Sequence, residues 1–164
     1  MIHWLRVKGL TASILVIATT LTACAGSRDQ GAADGPTARQ VTAASQCGFT
    51  EPGLLYMDSR QRLEEVTGAR GMNLTAMEDH DFTNEHLLLV AAGRKPTGGY
   101  GVALDSSRLE GGVLKLTMTL RTPSPDQMVT QALTSPCVVV AVIAEGWETV
   151  HVTGPGLPDL TLER

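Results

Sequence analysis

The sequence predicts an α+β domain that is mainly antiparallel β, with five or more strands in hairpins and one short helix, behind a signal peptide and a flexible tether. Three stretches point this way. Val113 to Arg121 alternates: Leu114, Leu116, Met118 and Leu120 share one face, and Lys115, Thr117, Thr119 and Arg121 share the other. Cys137 to Ala144 is an unbroken apolar run, the pattern of a strand buried on both faces. Arg60 to Thr67 is the helical stretch, with Asp58-Ser59 as N-cap, Leu63 and Val66 three apart on one face, and Gly68 as the stop.

The elements follow in chain order. Arg6 and Lys8 precede an uncharged apolar stretch from Leu10 to Ala23. Its fourteen residues fall short of the roughly 20 that a membrane span needs, and suit the core of a secretory signal. A buried N-terminal helix is the other reading. Leu21-Thr22-Ala23-Cys24 resembles the bacterial lipobox, and that resemblance implies lipidation of Cys24 and removal of residues 1–23. The remaining 141 residues carry eleven Lys and Arg against seventeen Asp and Glu. Two or more acyl chains anchor a protein stably where one does so only marginally. Ala25, rather than an aspartate, follows the cysteine; in a Gram-negative host, similarity to sorted lipoproteins favours the outer membrane, on its periplasmic side or at the surface.

Residues 24–45 read as the lipidated N-terminus and a tether. Ala, Gly, Ser, Thr, Gln and Asp dominate from Ala25 to Ser45, with Val41 the one large aliphatic, so burial cannot offset the entropy of ordering. Such a tether reaches roughly 25 Å; an arm docked on the domain is the alternative. Residues 46–164 form the globular domain. With Cys24 acylated, Cys47 and Cys137 are an even pair in an oxidising compartment, and a disulfide between them is expected; two buried free thiols are the alternative.

Gly53 to Met57 reads as a strand, Asn73 to Asn84 as polar and irregular, and His86 to Ala92 as a strand. Lys95 to Gly99 must turn, Tyr100 to Leu104 resumes a strand, and Gly111-Gly112 marks a hairpin. Thr122 to Pro136, with three prolines, is a long loop; Glu145-Gly146 turns the chain and Trp147 to Thr153 alternates. The tail, with Pro155 and Pro158, is expected to end irregularly.

The whole chain carries thirteen Lys and Arg against seventeen Asp and Glu, a net charge of −4, so it lacks the basic footprint of a nucleic-acid binder. No Gly-x-Ser-x-Gly elbow occurs. Gly93-x4-Gly98 is followed by Gly99-Tyr100 where a phosphate loop has Lys and Ser or Thr, and Gly99-Tyr100-Gly101 runs on to Leu104 rather than Gly, against a dinucleotide fingerprint. Glu78-Asp79-His80-Asp81 with Glu85-His86 is the best metal or acid–base candidate. Phe82 breaks the His-x-x-Glu-His zinc pattern, and a carboxylate cluster of this kind reads first as solvated surface. No cofactor, metal site or catalytic set is expected, and His151 reads as structural.

Gly93-Arg94-Lys95-Pro96-Thr97-Gly98-Gly99-Tyr100 resembles the signature of the PrcB C-terminal domain family, lipoproteins that serve as protease complex subunits. Asp81-Phe82, Thr122-Pro123-Ser124-Pro125 and Met128 to Pro136 resemble further family blocks. Cys137 departs from the pattern, which has an aromatic there. The resemblance implies a non-enzymatic, lipid-anchored exported domain that binds another protein, an envelope or surface protease, as an accessory subunit. Within the motif, Lys95, Pro96, Thr97, Gly98, Gly99 and Tyr100 read as a candidate partner-binding loop on their own chemistry. Pro96 fixes one φ, and Gly98-Gly99 permit positive φ, so the loop can turn sharply; the alternative is a turn that two strands require, with Tyr100 packed inward. Pro-Thr-x-Gly-Tyr is also similar to the inhibitory loop of chagasin-type cysteine-protease inhibitors, which implies inhibition as a second reading; their Arg-Pro-Trp loop has no counterpart here. An envelope structural lipoprotein without a dedicated ligand is the third.

Overall fold

The computed structural model describes residues 36–70, 72 and 75–164. The signal segment, Cys24 and the first part of the tether lie outside them. The described chain runs β1 (Ala38–Ala44), β2 (Pro52–Met57), α1 (Arg60–Arg70), a 3-10 turn (Thr75–Met77), β3 (Glu85–Ala92), β4 (Gly101–Glu110), β5 (Val113–Arg121), β6 (Cys137–Ile143), β7 (Thr149–Thr153) and β8 (Leu160–Glu163). The strands form two four-stranded sheets, ordered β1-β6-β3-β2 and β4-β5-β7-β8. Every pairing is antiparallel except β5 with β7.

The apolar run of β6 sets the layering. Val138, Val140 and Val142 face the second sheet, meeting Leu114, Leu116 and Met118 of β5 and Val150 and Val152 of β7. Cys137, Val139 and Ala141 face the opposite way, under α1 and the 3-10 turn, with Leu63, Val66 and Met77. β3 divides likewise: Leu88 and Val90 join the first core, Leu87 and Leu89 the second. Two adjacent strands are therefore buried on both faces, as their unbroken apolar sequences require. The sheets meet again at one edge, where Thr37 donates to Ser107 (2.7 Å) and the Leu104 amide donates to the Gln40 side chain (3.1 Å).

Four expectations are corrected. Residues 38–44, expected as tether, are an edge strand on β6, with Ala38 opposite Val142 and Ala44 opposite Cys137. Pairing there is carried by the backbone of β6, so short polar side chains suffice, and the ordered domain begins before residue 46. The helix passes through Gly68 to Arg70. Ser59 caps it as expected, its Oγ accepting from the Arg62 amide (3.3 Å). At the far end Arg70 donates to the Gly48 carbonyl and stacks over Phe49, which holds the last turn in place. β4 continues past Leu104 to Glu110, because a register shift between Leu104 and Ser106 absorbs the polar break in its alternation. The tail is not irregular: Leu160 and Leu162 of β8 pack on the first core, two prolines notwithstanding.

Cys47 and Cys137 form a disulfide across 90 residues of sequence, with their Cα atoms 6.1 Å apart. Both are buried, at the end of β6 where the long loop 122–136 arrives.

Candidate functional site

The segment from Gly93 to Tyr100 links β3 to β4 and is stitched to the loop 122–136. Lys95 and Thr134 exchange backbone hydrogen bonds in both directions (2.8 and 3.0 Å). Thr134 Oγ1 donates to the Thr97 carbonyl (2.7 Å), and the Gly98 amide donates to the Thr130 carbonyl (2.8 Å). The two segments form one double loop. Its base is fixed by Ser135, whose Oγ accepts from the amides of Cys47 (3.0 Å) and Gly48 (2.9 Å), directly beside the disulfide.

Both glycines permit positive φ; Gly99 uses that freedom (φ 83°) and Gly98 does not. A Cβ on Gly99 would lie 2.8 Å from Val129 Cγ1 and 2.9 Å from Pro123 Cβ, so this glycine allows the two halves to close. Gly98 faces Thr130 at ordinary contact distance, 3.4 Å or more. Of the expected partner-binding residues, Pro96 and Gly99 are exposed; Lys95, Thr97, Gly98 and Tyr100 are half-buried.

The double loop carries residues that sequence reasoning did not single out. Met128 is 97% exposed and Leu133 60% exposed, the large hydrophobic side chains left in solvent among the described residues. Leu133 and Arg94 share a shallow recess of about 330 Å³ with Phe49 and Thr50. Arg121 is exposed at the end of β5, opposite Gly101 in the ladder. The available signal was the placing of Met128 and Leu133 in a proline-rich polar loop without strand alternation, where no core could take them.

The carboxylate–histidine candidates are separately engaged. His80 Nε2 meets the Glu85 carbonyl at 3.0 Å, and Glu85 pairs with Arg39. Asp81 accepts from the Thr83 amide (2.9 Å), which holds its carboxyl below the usual range. His86 Nδ1 bonds the hydroxyl of Tyr56, which also accepts from Arg164 (3.3 Å). Burial pushes the His86 imidazole down; Arg164 and His80 add to this and Asp58 opposes it. Among the described residues no three His, Cys, Asp or Glu side chains converge as metal ligands. The cluster ties β2, β3 and the end of β8 together, with Arg164 stacked on Trp147.

Residues 87–142 match the family model described as PrcB C-terminal, which bears out the resemblance read from the glycine-rich signature. The match runs from β3 to β6 and takes in both halves of the double loop. No curated protein and no solved structure matches the chain.

Proposed function

We propose that this chain is a lipid-anchored exported domain that binds another protein, as an accessory subunit of an envelope or surface protease complex, and that the double loop is its contact surface. The observation that carries the reading is the pairing of 93–100 with 122–136: two segments of the PrcB-matching region are spent on a braced, solvent-facing loop that bears Met128 and Leu133. A rigid contact surface lowers the entropy lost on association. The polar side chains best suited to acid–base work are instead committed to hydrogen bonds of the fold: His86 to Tyr56 across β2 and β3, His80 to the Glu85 carbonyl, and Asp81 to the Thr83 amide. Anchoring at Cys24 would hold the domain at the membrane, in a Gram-negative host at the outer membrane, with no cofactor needed.

The test is crosslinking capture of the full lipidated protein from its own envelope, read by mass spectrometry. The reading expects a protease recovered with wild type and depleted with Tyr100→Ala. Recovery of no protein above a mock control overturns it. A protease kept by both leaves binding intact and moves the contact off Tyr100.

A further inference from the structure

We propose that the double loop docks an acidic, partly apolar segment of the partner protein, at the end of the sheet opposite the one where the described chain begins; this rests on the protein-binding reading above. The described residues carry ten Lys and Arg against fifteen Asp and Glu. Within 93–100 and 121–136 the balance reverses, with Arg94, Lys95 and Arg121 against Asp126 alone.

The side-chain partners sharpen this. Arg39, Arg62, Arg108 and Lys115 are in ion pairs. Arg60, Arg70 and Arg164 donate to backbone carbonyls and lie over aromatic rings. Among the described residues, the basic side chains left without any partner are Arg94, Lys95 and Arg121. Arg94 and Lys95 lie on the double loop and Arg121 on the last residue of β5 before it; Arg94 shares a recess with the exposed Leu133. Elsewhere among the described residues the cations are neutralised or tied down; here Arg94 and Arg121 are exposed and Lys95 half-buried, on a backbone that does not need ordering. Charges at the rim of a contact steer an oppositely charged segment to it, while an unbranched Met adapts to the apolar part.

A basic, apolar-tipped loop also suits an anionic bilayer, but the match of both its halves to a family of protease-complex subunits favours the protein. The described chain enters beside Val142, opposite Ala38, and the double loop stands at the Cys137 end of the same strand. At about 3.3 Å per residue these ends are roughly 20 Å apart, so the double loop stands at the far end of the sheet from the first described residues.

The test places a photoreactive benzoylphenylalanine at position 128 of the full chain in its own envelope and maps the crosslinked peptides. The expected products are protein adducts in segments rich in Asp and Glu, weakened by added salt. Arg94→Glu, Lys95→Glu and Arg121→Glu together should cut their yield by about tenfold or more, and the charge-keeping set Arg94→Lys, Lys95→Arg and Arg121→Lys should retain it. Adducts on neutral or basic segments, phospholipid adducts, or a yield indifferent to both salt and charge reversal overturn the proposal. Mapping and salt dependence use native charges, so they decide the matter even if the reversed variant misfolds. If position 128 captures nothing while whole-protein crosslinking still recovers a protease, the docking site is wrong and the protein-binding reading stands; if neither recovers a protein, that reading itself falls.

Discussion

Removing the disulfide tests how the double loop is held. The bridge closes a loop of 90 residues, and on the chain-entropy relation such a closure contributes about 4–5 kcal/mol by restricting the unfolded chain. A domain of this size has about 5–15 kcal/mol in all, so the loss would be a large share. The perturbation is Cys47→Ala with Cys137→Ala, set beside reduction of the native protein. Urea titration followed by the emission of Trp147, which is 2% exposed, reads the change. The midpoint should fall by the equivalent of several kcal/mol, and the slope should steepen because the uncrosslinked chain unfolds to a more open state. Capture of the partner should weaken in parallel, because the amides of Cys47 and Gly48 hold Ser135 at the base of the double loop. A loss below about 1 kcal/mol would refute the loop-closure reasoning. Full stability loss with unchanged capture would refute the link from bridge to loop.

Gly99→Ala should cost about 2 kcal/mol or more, from its positive φ and the overlap with Val129 and Pro123, whereas Gly98→Ala should cost less than about 1 kcal/mol; paired urea melts separate them. His86 is held below its ordinary value of 6.5 chiefly by burial. As pH falls through that value the unfolded chain takes up the proton before the folded one, so stability declines on acidification, and His86→Asn should flatten the decline in melts across that range. Cys24→Ser should abolish labelling with radioactive palmitate and release the chain from membranes on fractionation; retention of either would remove the anchor from the account.

The elements legible in the sequence are those whose side chains alone determine them. β3 and β6 lie between two cores, and their aliphatic runs say so. β5 has one buried face and alternates. What escaped was held by backbone. β1 has little apolar content and a register shift between Gln40 and Thr42, so no period survives for a side-chain reading to find. β8 follows two prolines that signal an end to order, yet an antiparallel neighbour needed only four residues. The site divides in the same way. Gly93 to Tyr100 is visible as a motif, but its union with Thr130 and Thr134 rests on main-chain hydrogen bonds between segments some thirty-five residues apart. Arg94 and Arg121, though named in a motif and a strand, were not legible as contact residues because a cation's lack of a partner is a property of the folded surface and of no local pattern.

The position of β6 also governs when the molecule can fold. It is the sixth of the eight strands among the described residues, yet it sits between β1 and β3 and pairs residue 38 with residue 142. A chain exported from its N-terminus would present β1, β2 and β3 to the far side of the membrane with the space between β1 and β3 still empty. Pairings so distant along the chain form slowly, and the waiting strands expose aliphatic surface and open edges meanwhile. The sheet can close only after residue 143 is available, so in a chain exported in this way folding would follow translocation rather than accompany it. That interval is when a periplasmic or surface chaperone would be of most use to the chain, and when the free thiol of Cys47 must wait for Cys137 to arrive.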